Sequence, residues 1–361
     1  MKVMTIVGAR PQFIKAAPVS RALRRQRGAT EVLVHTGQHY DDNMSEVFFR
    51  ELDISPPDRH LGIGSGAHGD QTGRMLIAIE ATIAHLRPDW VLVYGDTNTT
   101  LAGALAAAKL RVPVAHVEAG LRSFNRDMPE EVNRVVADHV ADLLFAPTSA
   151  AVDNLRREGI ARSRIVRTGD VMYDAALYYG AKAERESRIL DTLGLSAGQY
   201  VLVTIHRAEN TDNRGRLKAI LRALERLSRT ITVVLPLHPR TRAAMQRSGL
   251  GTNTRIRTID AVGYLDMVML ERNARLIATD SGGVQKEAYF YRVPCATLRN
   301  ETEWVELVRA GWNRIVSPDS ADRMFGALHT MLARFRRPRG GRSLYGDGHA
   351  AEAIAKRLLH A

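Results

Sequence analysis

The chain has 361 residues, of which 45% are hydrophobic and 25% are charged. This length and balance allow two globular domains and exclude disordered and fibrous classes. The net charge of +12 suits an anionic small molecule. It does not predict nucleic-acid binding, because the arginines are scattered among Glu and Asp and only 6% of residues are aromatic.

No apolar run approaches the roughly 20 residues that cross a bilayer, and the apolar N-terminus breaks after about seven positions. We therefore expect a cytoplasmic protein without a membrane segment or a secretion signal. The single cysteine, Cys295, cannot form an internal disulfide, and its apolar neighbours predict a buried, inert thiol.

Short β-branched segments alternate with helical patterns along the whole chain, which is typical of parallel sheets buried on both faces. The predicted strands before residue 170 are KVMTIV, EVLVHT, DWVLVYGD, PVAHVE, LLFAPT and RIVRTG. Those after it are YVLVTIH, ITVVLPL, RIRTID, RLIATD and VPCATL. The fold class is therefore α/β, with two Rossmann-like parallel-sheet domains and ligands expected in an interdomain cleft.

The predicted domain boundary lies near Asp170, where TGDVMYDAALYYGAKAERESRILDTLGL forms a helical connector. We expect an N-terminal domain over 1–170, a C-terminal nucleotide-binding domain over 171–345, and a terminal helix over 346–361. That last helix, HAAEAIAKRLLH, is expected to pack back on the N-terminal domain.

The first loop, GARPQFIK, places Arg10 at the start of a helix and Lys15 about one turn later. Two cations at a helix N-terminus suit a phosphate group. A plain strand-to-helix turn with solvated charges is an equal alternative, because the loop is neither a P-loop nor a G-x-G-x-x-G motif.

Three carboxylates follow in the same half of the chain. Asp96 and Glu118 each end a predicted parallel strand, and Glu130 follows a proline that starts the next helix. Carboxylates that converge in one cleft raise each other's pKa, which acid–base chemistry near pH 7 requires. The alternative is that Asp96 and Glu130 only cap helices.

Two histidines end strands in the second half. His206 in TIHRAEN is a candidate for stabilising a leaving phosphate, although a lone histidine is more often structural. His238 in PLHPRT has the same placement with weaker support. No pair of histidines has the helical spacing of a metal site.

The segment TDSGGVQKEA follows a predicted buried strand and opens a helix. Ser281, Gly282 and Gly283 offer backbone N–H groups to a diphosphate without obstruction by Cβ atoms. Easing of a tight turn is the alternative interpretation of the two glycines. Glu287 can reach sugar hydroxyls, or it is an ordinary exposed helix residue.

Taken in order, GARPQFIK, TGQH, GDTNTT, HVEAGLRS, MPEEVNR, TIHRAEN, LHPRT and TDSGGVQKEA resemble the non-hydrolysing UDP-N-acetylglucosamine 2-epimerase family. The resemblance covers essentially the whole chain and implies the GT-B architecture. It implies an isomerase that converts UDP-GlcNAc to UDP-ManNAc by loss of UDP from C1 and re-addition to a 2-acetamidoglucal. It also implies a homodimer and a place in polysaccharide biosynthesis.

The resemblance assigns proton transfer at C2 to Asp96, Glu118 and Glu130, and assistance of UDP departure to His206. It assigns substrate contacts to seven residues: Arg10, Lys15, His238, Ser281, Gly282, Gly283 and Glu287. Neither a nicotinamide cofactor nor a metal is implied, and the partner is the UDP-sugar alone, with no nucleic acid and no membrane.

Several positions depart from the best-known bacterial pattern. This chain has Ala9 and Gln12 where that branch reads GTRPE, and Glu303, Trp304, Val305 and Glu306 where it reads ERPE. Val262 and Met267 stand where glutamine and phenylalanine are common. Asn43, Ser45 and Glu46 occupy a stretch that carries glutamines in members activated by UDP-GlcNAc, so we expect hyperbolic kinetics.

These departures resemble epimerases of UDP-2,3-diacetamido-2,3-dideoxyglucuronate, whose carboxylate needs a cation such as Arg122 or Arg126. A hydrolysing epimerase, a GT-B glycosyltransferase and a catalytically inactive sugar-nucleotide sensor are further candidates with the same architecture. Three carboxylates in one cleft argue against the last two.

Overall fold

The structure is a computed structural model that describes residues 1–38, 51–251, 255–338 and 343–361. Its internal contacts divide these residues into two compact units. The first consists of Met1–Tyr178 and the described C-terminal residues 343–361, and the second of residues 179–338. The division falls inside the helix that follows Asp170.

The described part of the first unit holds a parallel sheet in the order β3-β2-β1-β4-β5-β6-β7. Its strands are β1 Lys2–Val7, β2 Thr30–His35, β3 Arg59–His60, β4 Trp90–Tyr94, β5 Val114–Val117, β6 Leu143–Ala146 and β7 Ile165–Arg167. Its helices are α1 Arg10–Arg24, α2 His68–Leu86, α3 Asn98–Lys109, α4 Pro129–Val140, α5 Ser149–Arg157, a 3-10 turn Arg162–Arg164, and α6 Val171–Glu186, which runs into the second unit.

The described part of the second unit holds a parallel sheet in the order β10-β9-β8-β11-β12-β13. Its strands are β8 Tyr200–Thr204, β9 Thr232–Leu237, β10 Ile256–Asp260, β11 Leu276–Thr279, β12 Cys295–Thr297 and β13 Asn313–Ile315. Its helices are α7 Ile189–Thr192, α8 Ala208–Thr211, α9 Arg214–Leu227, α10 Pro239–Arg247, α11 Tyr264–Arg272, α12 Gly282–Phe290, α13 Val305–Arg309 and α14 Ala321–Arg334. The terminal helix, α15 Ala350–Leu359, contacts α1 in the first unit.

Strand β8 illustrates why the apolar runs become central strands. Val201 and Val203 pack into one core layer, whereas Tyr200 and Leu202 pack into the layer on the other face of the sheet. Because successive side chains point to opposite faces, a strand covered on both sides needs apolar residues throughout. The α/β class with two parallel sheets is therefore confirmed.

All eleven predicted strands are present, and two short strands were not predicted. β3 has two exposed residues, and β13 reads Asn-Arg-Ile, so neither offers an apolar run to recognise. In the described residues, no helix combines the length and apolar character that a membrane crossing requires.

Candidate active site

Asp96 follows β4 and precedes α3, but it does not cap that helix. Thr97 occupies the N-cap, and its side chain accepts from the Thr100 amide. The Asp96 carboxylate instead forms an ion pair with Arg134 of α4. Its backbone carbonyl accepts a hydrogen bond of 2.9 Å from the Asn133 side chain. The helix-cap alternative for Asp96 is therefore wrong.

Glu118 follows β5, is buried, and forms an ion pair with the Lys15 ammonium of α1. Its φ of 73° is left-handed, a conformation that is uncommon for non-glycine residues. A Cβ on Gly95 would lie 2.9 Å from Lys15 Nζ and 3.5 Å from Glu118 Oε1. The Glu118 carboxylate and the Lys15 ammonium therefore lie against Gly95, which precedes Asp96. They leave little room for a larger side chain at that position.

Glu130 is the second residue of α4 and is half-buried. Met128 occupies the N-cap without a side-chain hydrogen bond, so Glu130 is not a helix cap either. A carboxylate in the first turn is favoured by the helix dipole. One turn later on the same helix, Arg134 contacts Asp96. The start of α4 therefore comes close to the end of β4.

The neighbouring acidic residue, Glu131, has a structural role. Its carboxylate accepts from the amides of Ser123 and Phe124, each at 2.9 Å, and from Arg134 at 3.0 Å. It thus fixes the loop between β5 and α4, whereas Asp127 in the same loop is exposed. Of the two acidic residues near Glu130, Glu131 therefore holds the loop in place and Asp127 is a surface charge.

Gln12 departs from the family pattern, and in the structure its side chain joins the first loop to the sheet by hydrogen bonds. Its Oε1 accepts from the amides of Gly8 at 2.8 Å and Ala9 at 3.1 Å. Its Nε2 donates to the carbonyl of Tyr94 at 3.0 Å. A glutamate could not make the last bond, because a carboxylate only accepts. Arg10 begins α1 and is half-buried.

In the second unit, Asp280 organises the segment that carries His206. The buried Asp280 carboxylate accepts from the amides of His206 at 3.0 Å and Arg207 at 3.1 Å, and from Asn210 Nδ2 at 3.0 Å. The His206 ring is 37% exposed, and its Nδ1 lies 3.5 Å from Asp280 Oδ1. The carboxylate thus lies beside both the backbone and the ring of His206.

His238 is the N-cap residue of α10, and its Nδ1 accepts from the Arg240 amide at 3.2 Å. Because Nδ1 accepts, the ring proton lies on Nε2. The rings of His238 and His206 are 5.3 Å apart. His238 thus combines a capping role with a place beside His206.

Ser281 caps α12, and its own amide donates to Thr279 Oγ1 at 2.9 Å. The amides of Gly282 and Gly283 begin the helix, and within the described residues neither donates to another group. A Cβ on Gly282 would lie 2.7 Å from Glu303 Oε1. The turn therefore requires glycine at this position and offers two free donors.

Glu287 is buried rather than exposed, so the alternative of an ordinary surface glutamate is wrong. It accepts from the Tyr264 hydroxyl at 3.1 Å. Burial and the nearby charge of Glu287 raise the pKa of Glu271 well above its usual value.

Arg122 cannot serve as the cation for a sugar carboxylate. Its guanidinium is buried and donates to Asp138 and to Glu158, each at 2.7 Å. Arg126 is exposed. The Cys295 thiol is buried, as predicted, and burial raises its pKa.

Five further residues were noted as departures from the bacterial pattern. Val262 and Met267 pack against the core of the second unit. Asn43, Ser45 and Glu46 lie outside the described residues. Within the described residues, no group of three or more His, Cys, Asp or Glu side chains is arranged to hold a metal ion.

Comparisons with known proteins identify relatives over the full length. The model of the UDP-N-acetylglucosamine 2-epimerase family matches residues 21–359. The UDP-2,3-diacetamido-2,3-dideoxy-D-glucuronate 2-epimerase of Pseudomonas aeruginosa is 51% identical over 362 residues, which are 99% of each chain.

Two solved structures superpose on all of this chain. The Methanocaldococcus jannaschii UDP-GlcNAc 2-epimerase in complex with UDP-GlcNAc and UDP has a TM-score of 0.94 at 44% identity, with 100% of both chains covered. The Neisseria meningitidis UDP-GlcNAc 2-epimerase bound to UDP-GlcNAc has a TM-score of 0.92 at 30% identity, again with 100% of both chains covered.

Proposed function

Since the chain belongs to the UDP-N-acetylglucosamine 2-epimerase family, we propose that it inverts C2 of a UDP-linked 2-acetamido sugar, converting UDP-GlcNAc to UDP-ManNAc. The observation that carries the proposal is the buried Glu118 carboxylate, held by Lys15 against the residue before Asp96. A base fixed in this way can remove a proton without first reorganising solvent. The first unit holds the proposed catalytic carboxylates.

The order of bond breaking follows from the acidity of the substrate. A C2–H beside an acetamido group is barely acidic, so the C1–O bond breaks first, and its electron pair leaves with UDP. Loss of the C2 proton to a carboxylate then gives a 2-acetamidoglucal. Return of a proton to the opposite face of C2 and of UDP to C1 completes the inversion, with no net redox change.

Two features of the second unit suit departure of UDP. The free amides of Gly282 and Gly283 at the start of α12 can accept a diphosphate, since a helix N-terminus favours anions. His206, beside Asp280, can offset charge that grows on the leaving group. Glu287 is an acceptor for sugar hydroxyls, held in place by Tyr264. Arg10, Lys15 and His238 remain proposed substrate contacts.

A second candidate substrate is UDP-2,3-diacetamido-2,3-dideoxyglucuronate. It is favoured by the 51% identity to an epimerase named for this sugar, against 44% to the UDP-GlcNAc enzyme of known structure. Of the two arginines suggested for its carboxylate, Arg126 alone is exposed.

The test is to incubate the protein separately with each UDP-sugar, without an acceptor, and to identify the products by NMR. An epimerase gives the C2 epimer still linked to UDP. Release of UDP with free sugar indicates a hydrolysing epimerase instead. No reaction with either sugar leaves a glycosyltransferase or an inactive sensor and contradicts the proposal.

We propose a cytoplasmic location, a homodimer and a role in polysaccharide biosynthesis on the basis of family membership. Light scattering coupled to size-exclusion chromatography measures the oligomeric state, and a monomeric mass would contradict the homodimer.

A further inference from the structure

His116 lies in β5 and is fully buried, with both ring nitrogens in short contacts. Nε2 is 2.7 Å from the carbonyl oxygen of Gly95, and Nδ1 is 2.7 Å from Asp138 Oδ1. A carbonyl oxygen can only accept, so Nε2 carries a proton and donates it to Gly95. The partner of Nδ1, Asp138, belongs to α4.

Asp138 is an ionised carboxylate. It accepts from the Gly120 amide at 3.0 Å and from Arg122 Nη1 at 2.7 Å, in addition to its contact with His116. Burial raises the pKa of Asp138. The hydrogen bonds and charges of His116 and Arg122 together lower it by more, so the pKa lies below its usual value. The two contacts of the His116 ring therefore join Gly95, after β4, to Asp138 of α4.

Asp138 lies at the centre of this cluster. It contacts His116 and Arg122, and Arg122 also contacts Glu158. Buried charges persist only when they are paired and hydrogen-bonded, and here each of these contacts measures 2.7 Å.

The contacts of His116 and Asp138 reach the segments that carry the proposed catalytic carboxylates. Gly95, which accepts from His116, immediately precedes Asp96. Gly120, which donates to Asp138, follows Glu118 by two residues. Asp138 itself belongs to α4, whose first turn carries Glu130.

We propose that the buried His116–Asp138 pair positions Asp96, Glu118 and Glu130 relative to one another. The inference rests on the proposed function, because it gives these three carboxylates their catalytic role. His116 and Asp138 are positioning residues that act through the backbone of the neighbouring segments. Misplacement of a catalytic group by about 1 Å is enough to slow a reaction roughly a hundredfold.

The variants Asp138→Asn and His116→Gln test the pair, since neither an amide nor a glutamine side chain can serve all the partners. Asp142→Asn is the matched control. Asp142 accepts from the Val114 amide at 2.8 Å at the start of the same strand, so this variant makes the same carboxylate-to-amide change beside β5.

We expect kcat to fall about a hundredfold in both test variants, with KM and UDP affinity within about threefold of wild type and Asp142→Asn fully active. The released glycal and UDP should rise as a fraction of turnover, because misplaced carboxylates return the proton inefficiently. A general loss of structure would instead weaken UDP binding and lower the midpoint of thermal unfolding in parallel.

Variants that fold and turn over within about threefold of an active wild type would overturn the inference alone. A wild-type protein that epimerises neither UDP-sugar overturns the proposed function and the positioning role with it.

Discussion

Glu118 combines a left-handed backbone with a buried carboxylate paired to Lys15. A non-glycine residue in this region costs on the order of 1 kcal/mol or more, and such strain persists only where the surroundings hold it. Here the ion pair and the close approach of Gly95 hold it. This strain supports a functional role for Glu118 over that of an incidental charge.

The first prediction concerns the three carboxylates. Asp96→Asn, Glu118→Gln and Glu130→Gln should each lower kcat by roughly two to four orders of magnitude, the usual contribution of a positioned acid or base. UDP affinity, measured by calorimetry, should stay nearly unchanged. Asp127→Asn, an exposed change in the same loop, is the control. An amide variant with near wild-type turnover would remove that residue from the mechanism.

The second prediction concerns Arg134, which donates to both Asp96 and Glu131. Arg134→Met should lower kcat by about a hundredfold, because Asp96 loses its fixed partner. Arg134→Lys should recover only part of the activity, since an ammonium lacks the guanidinium fork. Equal activity of the methionine and lysine variants would contradict a role for this geometry.

The third prediction concerns Gly282. Gly282→Leu must displace Glu303 and obstructs the start of α12, so UDP affinity should fall about tenfold or more, as expected for loss of one or two charge-assisted hydrogen bonds. Gly326→Leu is the control, since a Cβ there meets nothing within 4 Å. Unchanged UDP binding by Gly282→Leu in calorimetry would place the diphosphate elsewhere.

At the scale of secondary-structure elements, one acid accepts hydrogen bonds from the start of α15. Asp174 of α6 accepts from the amides of Ala350 at 3.2 Å and Ala351 at 2.7 Å, which begin α15. Burial is the main cause that raises the pKa of Asp174 from 3.8 to about 6, and the two amide hydrogen bonds oppose it.

The fourth prediction follows from the sign of that shift. Between about pH 4 and pH 6 the folded protein holds a proton that the unfolded chain has lost, so stability from this group falls as pH rises through that window. Relative to wild type, Asp174→Asn should therefore gain on the order of 2 kcal/mol between pH 4.5 and pH 7. Thermal unfolding at both pH values measures it.

The control for this experiment is Asp347→Asn. Asp347 is exposed and accepts from the His349 amide at 3.2 Å near the same helix start. Because Asp347 is exposed, its replacement should leave the free energy of unfolding close to that of wild type. A change in stability on Asp174→Asn that is the same at both pH values would contradict this role of Asp174.

The similar phrases VYGDT and IATDSGG show what local sequence can and cannot predict. Each phrase consists of a strand end, an aspartate, a small hydroxyl residue and the start of a helix, and in both the hydroxyl residue, Thr97 or Ser281, caps the helix. The aspartates nevertheless differ. Asp96 reaches Arg134, whereas Asp280 is buried beneath the His206 amide. The difference depends on partners far away in the chain, which local spacing does not specify.

At the scale of the whole molecule, the two sheets were predictable because buried parallel strands need continuous apolar runs. The candidate site residues were also predictable, because the end of each apolar run marks the end of a strand. The interactions of Gln12, His116 and Asp138 were not, because each joins segments distant in sequence. The pairing of Lys15 with Glu118 joins residues 103 positions apart, so sequence reasoning assigned Lys15 to phosphate alone.

The central claim is that the proton at C2 is removed by one carboxylate and replaced by another. The fifth prediction tests it with UDP-GlcNAc and the diacetamido uronate in D2O, followed by NMR and mass spectrometry. An acid that has exchanged with solvent delivers deuterium to the opposite face of C2, so the epimeric product should carry one deuterium there. A product epimerised at C2 that retains its original hydrogen would contradict the account.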